Sequence, residues 1–72
     1  MNAEYLVVIE RTDRNWSAHI PDLPGCVATG KTREKALDRL RDAVRMHLEG
    51  MKEDALPVPP PSSQPAWLHV AA

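Results

Sequence analysis

Phenylalanine is absent, and one tyrosine and two tryptophans are the whole aromatic complement of the 72 residues. A platform for stacking bases needs several exposed rings, so Trp16 and Trp67 read as core or interface anchors instead. Cysteine occurs once, as Cys26, which excludes an internal disulfide. His19, His47 and His69 are scattered, with no ligand spacing beside that thiol, so no metal or other cofactor is expected. An excess of one charge is lacking as well: nine lysines and arginines against ten acids leave −1. That gives no basic field to gather nucleic acid. The longest apolar run near the start, Leu6 to Ile9, is too short for a signal-peptide core or a membrane span. A single free thiol and no export signal point to the cytoplasm.

What remains is one small domain, residues 1–72. A chain of this size buries only about 60 % of its unfolded surface, and such scaffolds need a staple. With disulfide and metal excluded, self-association as a dimer or tetramer, or a standing partner, is the expected staple.

Residues Glu4 to Arg11, "EYLVVIER", and Trp16 to Ile20, "WSAHI", alternate apolar with polar around the cluster "TDRN" and predict a hairpin. With Arg11 opposite Trp16, Ile9 faces Ala18 and Val7 faces Ile20. Tyr5, Val7, Ile9, Trp16, Ala18 and Ile20 then share one face, and Leu6, Val8, Glu10, Ser17 and His19 the other. Pro21 ends the second strand, and "LPGC" suits a tight turn with positive φ at Gly25. "CVAT" predicts a third strand, broken at Gly30. Thr32 is a suitable N-cap for a helix from Arg33 to about Glu49, with Gly50 as its stop. Leu37, Leu40, Val44, Leu48 and Met51 form its apolar stripe, beside Ala36 and Ala43. Lys35 with Asp38, and Arg45 with Glu49, are expected pairs on its surface. Residues 57–66 hold five of the seven prolines and predict an extended connector. "WLHV", residues 67–70, alternates again and predicts a short terminal strand. The expected fold is α+β, ordered β-β-β-α-β: a three-stranded antiparallel sheet plus a short fourth strand, with one helix on one face. The face left bare carries Leu6 and Val8. Together with Trp67 they are the expected oligomer contacts.

Chemical motifs are few. "GCVATGKT" matches a phosphate-binding loop letter for letter, but its middle reads as a strand, and no nucleotide-binding domain fits this length. Arg33, Arg39, Arg41 and Arg45 interleave with acids, as a solvated helix face does. Glu10, Asp13 and Asp22 have no metal-binding spacing. Cys26 as a nucleophile would need a base and a lowered pKa. His19 leaves the hairpin on the face opposite Trp16, so a buried structural cysteine is the better reading. No catalytic residue is assigned. The competing reading is a small enzyme or RNA-processing protein using Cys26 and His19, or an orphan structural domain.

The series formed by Tyr5, Trp16, Pro21-Asp22-Leu23-Pro24-Gly25-Cys26, Gly30, Thr32 and Ala36-Leu37 resembles the N-terminal domain of the HicB antitoxins. The resemblance covers residues 4 to about 62. It implies a partial ribonuclease H-like fold without that enzyme's activity. It also implies a partner: a HicA-type toxin, a small mRNA-cleaving protein whose surface the antitoxin domain blocks. Asp22, Leu23, Pro24, His19 and Ser17 are the expected partner-binding residues. Full-length relatives carry a C-terminal DNA-binding domain, for which the segment after the helix is too short, so no DNA binding is expected of this chain alone. Lys35 stands where relatives have an acid, which departs from a full capping box.

Overall fold

A computed structural model describes residues 3–71. Strands β1 (Val8–Arg11), β2 (Trp16–His19) and β3 (Val27–Gly30) form one antiparallel sheet in the order β1-β2-β3, followed by helix α1 (Arg33–Glu53). The fold is α+β, as the alternation and period predict. Arg11 lies opposite Trp16 and Ile9 opposite Ala18, the register read from the alternation. β1 starts at Val8 rather than Glu4 because its partner runs out: the next position on β2 that would bond to it is Pro21, which has no N–H.

The register sorts the sheet into two faces. Trp16, Ala18 and Ala28 look toward the helix, with Ile9 beside them. There Ala18, Ile20, Leu23, Cys26, Ala36 and Leu40 form the buried core, flanked by Tyr5, Val7, Ala43, Val44 and Leu48. Gly30 is where strand meets helix. A Cβ at that position would stand 2.5 Å from Ala36 N and 2.8 Å from Lys35 C, so the helix can seat itself only over a hydrogen.

Thr32 caps α1: its Oγ1 accepts from Lys35 N–H at 3.1 Å. The helix runs past Gly50, correcting the expected stop. It ends instead in a Schellman motif, where Leu56 N–H donates to Met51 O (2.9 Å) and Ala55 N–H to Lys52 O (3.1 Å). Ala55 takes the left-handed conformation at φ 55. On the surface the pairs are Arg41 with Asp38 and Arg45 with Asp42, at 3.4 and 3.3 Å, rather than the two expected. Both are solvent-exposed and contribute a few tenths of a kcal/mol at most.

The fourth strand does not form within the chain. Residues 57–71 carry no helix and no strand pairing, and Trp67, Leu68 and Val70 are 94 %, 90 % and 75 % exposed. "WLHV" joins no ladder of its own chain. The radius of gyration, 14.0 Å, exceeds the about 11 Å of a compact chain this long because that segment projects.

Candidate protein-binding site

The "IPDLPGC" corner consists of two consecutive turns, each with proline in the second position. Leu23 N–H donates to Ile20 O (3.1 Å) and Cys26 N–H to Leu23 O (3.0 Å). Proline sets φ in each, and Gly25, at φ 85, supplies the left-handed residue of the second. The corner is rigid by its backbone alone. Pro24 and Gly25 stand exposed at its tip.

Leu23 does not. At 1 % exposure it points into the core, so it is withdrawn from the expected partner-binding set. Its apolar side chain plugs the end of the sheet layer, a destination that alternation could not reveal inside a turn. Cys26, 3 % exposed, lies beside it in the core, and burial pushes its thiol pKa up. That is opposite to what a nucleophile needs. The match to a phosphate-binding loop also dissolves: its middle residues are β3, paired to β2 along their length, and cannot wrap a phosphate.

Asp22 is engaged within the chain. Its Oδ2 accepts from the backbone N–H of Ser62 (2.9 Å) and Ser63 (3.0 Å). Its Oδ1 accepts from the hydroxyls of the same serines at 3.0 and 2.8 Å. The two backbone bonds, then the hydroxyls, lower its pKa from 3.8 to about 2. Tyr5 Oη adds a second tie, donating to Pro59 O at 2.6 Å. Nothing in a serine pair forty residues from an aspartate signals this clamp. The only hint is compositional: "SS" is the one hydroxyl-bearing interruption of the proline run.

The surface left open is the sheet face away from the helix. Cross-strand partners share a face, so Val8, His19 and Val27 form one row and Glu10, Ser17 and Thr29 the next. Ser17 and His19 thus lie together, as the alternation predicts, with Val8 between them and Leu6. Leu6 and Val8 are half-buried rather than bare, and Val27, at 55 %, is the most exposed apolar side chain of the sheet. Val27 and Thr29 are absent from the sequence-based site. The alternation of "CVAT" carried that signal, but only with the β2–β3 register known. Neither row contains a lysine or arginine. Among the described residues, no group of three or more His, Cys, Asp or Glu is placed to hold a metal. None of the described helices is long and apolar enough to cross a membrane.

Fold and site together define a small α+β module, one helix on one face of a three-stranded sheet, presenting the other face and a rigid corner. The model of the family described as the HicB-like antitoxin of bacterial toxin–antitoxin systems matches residues 5–70. The chain is 36 % identical over 50 residues to a 14.9 kDa protein of the rep-hol intergenic region of Haemophilus phage HP1, covering 69 % of this chain and 38 % of that one. It is 30 % identical over 67 residues to a UPF0150 protein of Thermoplasma acidophilum, covering 92 % and 97 %. Antitoxin HicB 2 of Photorhabdus laumondii is 33 % identical over 63 residues, covering 88 % and 45 %. The chain therefore spans less than half of the phage protein and of that antitoxin. It belongs to the HicB-like antitoxin family, and membership supports a role in a toxin–antitoxin pair.

Proposed function

We propose that this protein is a non-enzymatic binding module that neutralises a HicA-type toxin, using the open sheet face and the tip of the proline corner. The observation that carries this is the composition of the Val8–His19–Val27 and Glu10–Ser17–Thr29 rows: an apolar strip beside hydroxyls and one acid, without a cation. Such a surface suits a protein partner, whose contacts pair apolar patches and hydrogen bonds. It is unsuited to phosphate, which is held by lysine and arginine. His19, Ser17 and Val27 are the central contacts and Pro24 the rigid rim. Asp22 acts indirectly, by holding the connector against the corner.

The test is co-expression with a HicA-type ribonuclease. Rescue of growth and recovery of a stable complex are expected. Toxicity undiminished by the wild-type chain, with no complex recovered, would remove the reading. A thiol in the native protein that alkylates at the rate of a thiolate would instead favour chemistry at Cys26.

A further inference from the structure

We propose that two copies of this chain exchange their C-terminal arms, Trp67–Val70 of each adding as a fourth strand to the β1 edge of the other. The hydrogen-bond alternation of the hairpin defines that edge. Thr12 N–H donates to Asn15 O at 2.8 Å, so bonded pairs recur at Glu10–Ser17 and Val8–His19. Ile9 and Arg11 therefore turn their N–H and C=O groups outward, away from β2. The opposite edge is blunted. There Arg39 Nη1 donates to the outward carbonyl of Thr29 at 3.0 Å. An unpaired edge of this kind is a template for another strand.

The segment leading into β1 borders an open groove. Because α1 sits chiefly over β3 and β2, a space of about 240 Å³ opens between residues 5–7 and the helix, lined by Tyr5, Val7, Leu37, Leu40 and Val44, with Arg41 among them. A strand laid along β1 sends alternate side chains into that groove and the rest onto the open face. Trp67 fills the groove, while Leu68 and Val70 lengthen the apolar row at Val8.

The chain's own arm joins no strand in this structure, and the connector before it is tied down. Tyr5, which leads into β1, holds the connector at Pro59, and Asp22, in the β2–β3 corner, holds it at Ser62 and Ser63. Three residues separate Ser63 from Trp67. Among the described residues no hydrogen bond holds the chain beyond Ser63, and the arm's apolar side chains are almost wholly in solvent. A second copy brings the missing edge. Tryptophan alone buries roughly 150–250 Å². Two arms and the surfaces they cover reach on the order of 1,200 Å², the lower bound of a specific interface.

Sedimentation of the full chain at micromolar concentration tests the exchange, together with hydrogen exchange at the Ile9 and Arg11 amides. The wild type is expected to be a dimer with both amides protected. Trp67→Asp should weaken dimerisation on the order of 1,000-fold and release both amides. Val27→Asp should leave the dimer intact, which separates this proposal from the toxin-binding face. A wild-type monomer, a dimer that survives Trp67→Asp, or a dimer whose Ile9 and Arg11 amides exchange freely would overturn it. So would a monomer with both amides protected, which would mean that the arm docks on its own edge.

Discussion

Gly30 and Asp22 show how single residues hold this molecule together. At Gly30 the obstacle to a side chain is backbone, Ala36 N and Lys35 C, which cannot swing aside as a flexible side chain would. Gly30→Ala should destabilise by about 1–3 kcal/mol, read from urea unfolding, with the helix displaced from β3. For Asp22, the folded pKa of about 2 lies below the ordinary 3.8, so its contribution is full at neutral pH. That contribution fades as acid protonates the carboxylate, from about pH 5 down to 2. The protection of the Ser62 and Ser63 amides, relative to their unstructured exchange rate at each pH, should fall over that range while the core stays protected. Asp22→Asn should show that low protection at every pH. If the serine amides were equally slow in the asparagine variant, the carboxylate would not be their anchor.

At the scale of elements, α1 carries its glycine in the interior and an alanine where glycine is favoured. Gly50 has open space around its missing Cβ, and the helix continues through it. Gly50→Ala should therefore raise stability by about 0.5–1 kcal/mol. Ala55 sits at φ 55, where an L side chain costs roughly 1–2 kcal/mol, partly offset by the entropy glycine loses. Ala55→Gly should gain up to about 1 kcal/mol. Thermal melts of both single variants and the double check the pair, and a loss in either would contradict the observed helix end. The helix start, stripe and hairpin register were legible because each rests on local chemistry: a hydroxyl cap, a four-residue period, a two-residue alternation. The helix end was not. A glycine without a left-handed φ is merely a weak helix residue, and the true cap depends on bonds from Ala55 and Leu56 back to Lys52 and Met51.

For the whole molecule, the open face is a consequence of helix length and count: one helix can cover one side of three strands and no more. On the proposed toxin-binding reading of that face, Val27→Asp and His19→Glu should each weaken the complex at least about tenfold by placing a charge in an apolar row, without lowering the melting temperature. Calorimetric titration against the toxin checks this. Unchanged affinity in both would move the contact off this face.

Residue pattern alone determined the α+β class, the faces of the hairpin and the surface position of Ser17 and His19, because neighbours two or four residues apart dictate those. Tertiary structure decided the rest. Leu23 became core, Asp22 became the clamp on Ser62 and Ser63, and Trp67 was left without a ladder. Each of these outcomes depends on segments tens of residues apart meeting in space. Periodicity does not encode such meetings, since they are set by where the β2–β3 corner and the proline connector can reach each other.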